Sequence, residues 1–144
     1  MNFATPRLLL NLQHSQIHLL SFQLQSTLLI NDDIMDASET RRGQPCWYKL
    51  EDVQMTAIND GLMIESGIYY ILKKYFENKE CYVKLLEIFH ETMLITTIGQ
   101  SLDLQMATKD CTNFSMERYK AIVAHKTAYY TFYLPVAVAM HFVG

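Results

Sequence analysis

SFQLQSTLLINDDIMD, residues 21–36, and LEIFHETMLITTIGQSLD, residues 86–103, carry the pattern from which the fold is read. In the first, Phe22, Gln25, Leu29, Asp32 and Asp36 recur at steps of three and four, so on a helix they share one face. In the second, Leu86, Phe89, Met93, Thr96, Gln100 and Asp103 do the same. Both stripes open apolar and end in carboxylates and amides. A face that buries its first half buries or half-buries Asp32 and Asp103 as well, and buried carboxylates are costly unless neutralised. A cationic group is therefore expected between these two helices.

The flanking sequence extends the helical pattern. Pro6 suits a first helical position after Thr5, and a helix is expected from Leu8 to about Ser38. Gly43 and Pro45 mark a loop that carries Arg41, Arg42 and Trp47. Further helices are expected over Glu51 to Phe76 and Tyr82 to Ala107. After a turn at 109–113, Ser115 caps a fourth helix reaching about His125. Pro135 interrupts the last apolar stretch and predicts a break or kink near Lys126. No segment sustains period-two alternation, so the chain reads as all-α.

Composition narrows the function classes. The 144 residues carry a formal charge of −3, and half are hydrophobic. There is no basic block to track a nucleic-acid backbone and no low-complexity linker, so a single domain over 1–144 is expected and nucleic acid is excluded as a partner. Cys46, Cys81 and Cys111 are widely spaced and odd in number, which reads as free thiols in a reducing compartment. The late apolar run from Thr131 to Val143 is far shorter than the roughly 20 residues of a membrane span. The first thirty-one residues have no acid and Arg7 as their one strong base, a faint echo of an organelle (for example mitochondrial) transit peptide. Such peptides are usually Arg-rich, so a cytoplasmic location is the expectation.

DDIMD sets Asp32 and Asp36 one helical turn apart with Asp33 between them. Three carboxylates within about one turn repel each other, and a helix C-terminus disfavours anions further. Mg²⁺ resolves this, because it takes oxygen ligands and bridges one or two carboxylates to substrate phosphates. A solvated acidic turn is the other reading of the same residues. Arg41 and Arg42 follow one short connection later, and guanidinium groups grip phosphate oxygens in a bidentate fork. An Arg pair bridged to Asp36 or Glu39 at the surface is the competing account of those two. The acidic cluster and the arginine pair together suit a diphosphate–Mg²⁺ complex.

DDIMD with TRRGQPCW, then IGQSLDL at 98–104, then HKTAYYTFYLP at 125–135, resemble the farnesyl diphosphate synthase family of short-chain trans-prenyltransferases in order and spacing, over roughly Gln25 to Gly144. The resemblance implies an all-α isoprenoid-synthase bundle around a central cavity, usually as a homodimer. It implies Asp32 and Asp36 as Mg²⁺ ligands with Asp33 in support. Arg41 and Lys126 would meet the allylic diphosphate, and Arg42 and Gln25 would help hold isopentenyl diphosphate. Gln100 and Asp103 would lie beside the aspartates, with Asp103 the better partner for a cation. Thr127 and Tyr130 would line the cavity, whereas Tyr133 is read as core packing. The implied reaction is Mg²⁺-dependent head-to-tail condensation of dimethylallyl or geranyl diphosphate with isopentenyl diphosphate.

Three departures from the family pattern bear on this. The family's N-terminal Gly-Gly-Lys…Arg segment has no counterpart in the divergent residues 1–24. Its second aspartate-rich motif would lie beyond Gly144, so an incomplete fragment, inactive alone, is expected. Thr27 and Leu28 stand where farnesyl-producing members carry aromatics that limit tail length. A terpene synthase derived from the family, and a non-catalytic paralogue that binds diphosphate or pairs with a full-length subunit, are the alternatives.

Overall fold

A computed structural model describes residues 6–107 and 115–143, with side chains from residue 15 onward. Its first helix, α1, spans Pro6–Met35. It ends three residues before the expected Ser38 because Ala37 turns left-handed, at φ 52°. The Ser38 amide then donates to the Asp33 carbonyl at 2.9 Å and the Ala37 amide to Ile34 at 3.3 Å, the Schellman arrangement that satisfies a helix's last carbonyls. The expected loop is a small antiparallel hairpin of β1, Thr40–Arg41, and β2, Gln44–Pro45, with Arg41 opposite Gln44. Arg42 and Gly43 form its tip at φ 55° and 77°, the left-handed pair that a two-residue hairpin turn requires.

The second helix starts later than expected. Residues Trp47–Lys49 and Gln54–Thr56 form single 3₁₀ turns, and α2 spans Ala57–Phe76. Two features hold residues 46–56 out of the helix. Gln54 is left-handed at φ 48°, and Tyr48 is buried with its hydroxyl donating to the Ser38 carbonyl at 2.9 Å. α3 spans Tyr82–Ala107 as expected. The expected turn at 109–113 and Cys111 lie outside the described residues.

Ser115 caps α4, Met116–Ile122, its hydroxyl accepting from the Arg118 amide at 3.2 Å. The expected break near Lys126 is absent. Residues Val123–Tyr133 continue as a π-helix, and α5 follows over Leu134–Val143. Pro135 explains the change of register. It has no N–H to donate, and its ring crowds the carbonyl four residues back. The wider coil ahead of it carries the Leu134 amide to the Tyr129 carbonyl, five residues away, so the chain bypasses the conflict without breaking.

The main core is built from Leu20 and Leu24 of α1, Leu72 and Phe76 of α2, Phe89 of α3 and Val138 of α5, all fully buried. Each helix supplies residues three or four apart, the spacing of one face. A smaller cluster of Cys46, Tyr48 and Ala57 packs on Ile30 and Ile34 beneath the hairpin. Gly61 of α2 lies against Asn31 of α1, and Gly67 lies against Gln23, so these two helices run antiparallel. Tyr133, expected in the core, is 43% exposed and packs its ring on Tyr129 at 4.5 Å. The π-helical register turns it outward. Among the described residues no helix is long and apolar enough to cross a membrane.

Candidate functional site

α1, α2, α3 and the π-helix line a half-open cavity of about 680 Å³. Sites for small ligands commonly fall in this range. Its walls are largely apolar, with Leu28, Leu29 and Met35 from α1, Met93 and Leu104 from α3, and Tyr130 from the π-helix. Asp32, Arg41, Lys126 and Gln100 add polar groups to its lining.

The DDIMD aspartates do not stand alone. Arg41 donates by Nε to both carboxylate oxygens of Asp33, at 2.9 and 2.8 Å, and by Nη2 to Asp32 Oδ2 at 2.8 Å. Lys126 Nζ lies 2.9 Å from Asp32 Oδ1, 3.7 Å from Asp36 Oδ2 and 2.5 Å from Asp103 Oδ2. The cationic group that the two stripes demanded is thus an Arg from the hairpin and a Lys from the fourth helical run. Hydrogen bonding to Asp33 raises the Arg41 pKa against the opposing pull of burial. Burial alone would lower the pKa of Lys126, but its hydrogen bond to Asp103 and the nearby Asp32 carboxylate outweigh that, and the net direction is up. Both groups stay charged at neutral pH. Cys46 is buried beside Asp33, and burial first, then the bond to that carboxylate, pushes its thiol pKa up.

Asp33 itself is buried and locked to Arg41, so it orients the arginine and does not open onto the cavity. Thr127 and Tyr130 line the cavity. Gln100 is almost fully buried, and its Nε2 has no hydrogen-bond partner among the described residues; the Thr96 hydroxyl one turn away is in the same state. Both line the cavity. Unsatisfied buried donors of this kind call for a ligand or water. Leu28 faces the cavity, but Thr27 does not. Its side chain is fully buried against α2, where the hydroxyl donates to the Gly61 carbonyl at 3.2 Å. Gln25 is half-buried off the cavity wall, and Arg42 is exposed at the hairpin tip, also off the wall. The structure therefore gathers Asp32, Asp36, Arg41, Lys126, Asp103, Gln100, Thr127 and Tyr130, and leaves Gln25, Arg42 and Thr27 outside.

Gly99 was not singled out from the sequence. A Cβ placed there would lie 2.7 Å from the His125 carbonyl carbon and 2.7 Å from Lys126 Cα, and closer still to the Lys126 amide nitrogen. α3 and the π-helix touch backbone to backbone at this point, and that contact delivers Lys126 to the aspartates. An isolated Gly inside an otherwise regular helical stripe was the available signal. Glu65 of α2, also on the cavity wall, gave none.

Among the described residues no three carboxylate, imidazole or thiol side chains converge to hold a metal by themselves. Asp32 and Asp36 do converge on a single cation, the Lys126 ammonium. Two carboxylates, with the remaining oxygens from phosphate and water, are what Mg²⁺ commonly takes from a protein. The donor set fits that ion.

The polyprenyl synthetase family model matches residues 10–144. The chain is 55% identical over 124 residues to farnesyl pyrophosphate synthase of Schizosaccharomyces pombe, covering 84% of this chain and 36% of that one. It is 54% identical over 123 residues to the Gallus gallus farnesyl pyrophosphate synthase, covering 83% and 34%. The Candida albicans farnesyl pyrophosphate synthase aligns with all of this chain at 47% identity and with 43% of its own length. A crystal structure of T. brucei farnesyl diphosphate synthase superposes with a TM-score of 0.80 at 34% identity, over 87% of this chain and 40% of that one. The chain thus spans 34% to 43% of the length of these relatives.

Proposed function

This chain belongs to the polyprenyl synthetase family, and from that premise we propose that its cavity binds the tail and diphosphate of an allylic prenyl diphosphate for condensation with isopentenyl diphosphate, farnesyl diphosphate being the product. The observation that carries this is the meeting of an apolar cavity with a charged cluster of Asp32, Asp36, Asp103, Arg41 and Lys126. A prenyl diphosphate has the same division, a hydrocarbon chain ending in a polyanion. The names of the curated relatives support the same reaction.

Asp32 and Asp36 would hold Mg²⁺, which when bound neutralises the diphosphate and improves it as a leaving group. Arg41 is preorganised by Asp33, so its charge is in place before substrate arrives and needs no reorganisation during reaction. Lys126 supplies a second positive charge for the diphosphate. As the allylic carbon–oxygen bond breaks, its electron pair leaves with the diphosphate. The double bond of isopentenyl diphosphate then gives its pair to the allylic carbon, and loss of a proton restores a double bond. The apolar walls would shield one side of the carbocation from water. Thr127 and Tyr130 border the cavity beside Lys126, where that cation would form, and Gln100 and Thr96 offer the unsatisfied donors. The homodimer implied by the resemblance is part of this proposal. Exposed Leu62, Met63 and Tyr70 on α2 give such a pairing apolar surface to cover.

Calorimetric titration of geranyl diphosphate into the chain, with and without Mg²⁺, tests the reading. Binding that depends on Mg²⁺ and weakens at least tenfold or so in Asp32→Asn is expected, because a hydrogen bond to a charged group contributes about 1.5–3 kcal/mol. The circular dichroism spectrum should stay unchanged. Binding that ignores both Mg²⁺ and the substitution would overturn the proposal.

A further inference from the structure

Lys126 places its ammonium against Asp32 and Asp36, the two residues that would hold a divalent ion. Its ammonium is 2.9 Å from Asp32 Oδ1, 3.7 Å from Asp36 Oδ2 and 2.5 Å from Asp103 Oδ2. Its backbone is fixed as well, since Gly99 brings α3 within backbone contact of residues 125–126. Asp32 Oδ1 is buried and has no aligned hydrogen bond, so the nearby ammonium is the charge that offsets it. Asp32, Asp33, Asp36 and Asp103 together carry four negative charges against two positive ones from Arg41 and Lys126.

We propose that Lys126 is a resident cation that plugs the divalent-metal position, so that metal enters only by expelling it and the diphosphate completes the exchange by accepting the expelled ammonium. This rests on the metal and diphosphate assignment made above and adds to it an order of events. A metal ion alone must compete with an attached charge and leave the ammonium without an anion. When diphosphate is present the displaced ammonium has a new partner, and the aspartates receive a doubly charged ion in place of a singly charged one. Metal and diphosphate should therefore bind with positive coupling, and by linkage each raises the affinity of the other by the same factor. A site plugged in this way stays compact before substrate arrives, since its carboxylates are never left facing one another uncompensated.

Mn²⁺ binding, followed by electron paramagnetic resonance, measures this without turnover, with inorganic pyrophosphate as the second ligand. The wild-type chain should bind Mn²⁺ weakly alone and about tenfold or more tightly with pyrophosphate, within the usual range of coupling between sites. In Lys126→Gln, Mn²⁺ alone should bind more tightly than to wild type, and the gain from pyrophosphate should shrink. Lys126→Arg, which keeps the charge, should stay near wild type. Lys126→Gln binding free Mn²⁺ no better than wild type would overturn the proposal. Failure of every form to bind Mn²⁺ even with pyrophosphate would instead remove the underlying metal assignment. A measurement on the wild type alone covers misfolding of the variants. The side-chain ammonium resonance of Lys126 should move when Mg²⁺ and pyrophosphate are added together, and an unmoved resonance under saturation also overturns the proposal.

Discussion

Gly99→Ala is the smallest change that tests how the site is assembled. The added Cβ would meet His125 carbonyl carbon and Lys126 Cα at 2.7 Å, with the Lys126 amide nitrogen nearer still. Carbon atoms rest about 3.5–4.0 Å apart, so the two backbones must separate by roughly 1 Å. Both obstructing groups are backbone, which cannot rotate away as a side chain can. Overpacking of this kind costs about 1–3 kcal/mol, and the upper end applies here. Ala in place of Gly inside a helix returns about 1 kcal/mol. The net expectation is a loss of about 2 kcal/mol. Gly67 supplies the control, because a Cβ there meets only Gln23 Nε2, at an ordinary 3.6 Å. Gly67→Ala should therefore gain up to about 1 kcal/mol. Urea unfolding followed by far-ultraviolet circular dichroism reads both. Gly99→Ala as stable as wild type, or the two substitutions shifting stability in the same direction, would refute a rigid backbone contact at this point. Gly99→Ala should also weaken the hold of Asp103 and Asp32 on Lys126, since the ammonium moves with its backbone.

Other expectations separate residues on the cavity from those behind it. Leu28→Phe intrudes on the cavity, so the affinity for geranylgeranyl diphosphate should fall relative to geranyl diphosphate by about tenfold, the effect of a small volume change in an apolar pocket; an unchanged ratio would show that Leu28 does not limit tail length. Thr27→Val removes the hydrogen bond to the Gly61 carbonyl, costing about 1 kcal/mol in urea unfolding, and should leave that ligand ratio unmoved. Cys46 is 1% exposed and its thiol pKa is raised above the ordinary 9.0 by burial and then by Asp33. A raised folded-state value contributes stability that is complete below pH 9.0 and lost as pH rises through the folded value. Cys46 should accordingly resist alkylation at pH 8 in the native chain and react once urea is added, whereas rapid native labelling, read by peptide mass, would contradict the burial.

Local pattern determined more of this molecule than its tertiary contacts did. Helical periodicity depends on backbone bonds within four residues, so the spacing of Phe89, Met93, Thr96, Gln100 and Asp103 was enough to define α3, although its buried row runs through Leu85, Ile88, Phe89, Thr92 and Thr96, one position to the side of that stripe. On α1 the expected face is wrong at its apolar start, since Phe22 is 66% exposed and Leu20, Leu24 and Thr27 are buried instead, yet Asp32 and Asp103 do meet a cation in Lys126. Helix ends were less legible, because left-handed Ala37 and Gln54 stop α1 and delay α2 without the Gly that usually marks such positions. Which cation serves the aspartates could not be read from spacing. Lys126 lies 94 positions after Asp32, and it reaches the cluster only through a close backbone approach at Gly99 and an eleven-residue π-helix. The division of Thr27 from Leu28, and of Arg41 from Arg42, also required the tertiary structure. Successive helical residues point about 100° apart, so one neighbour meets α2 while the next meets the cavity. At the hairpin, Arg41 pairs with the aspartates from its strand and Arg42 sits left-handed at the tip. Residue type and order say what a cluster can bind, but the rotation of each helix about its axis decides which of two adjacent side chains belongs to it.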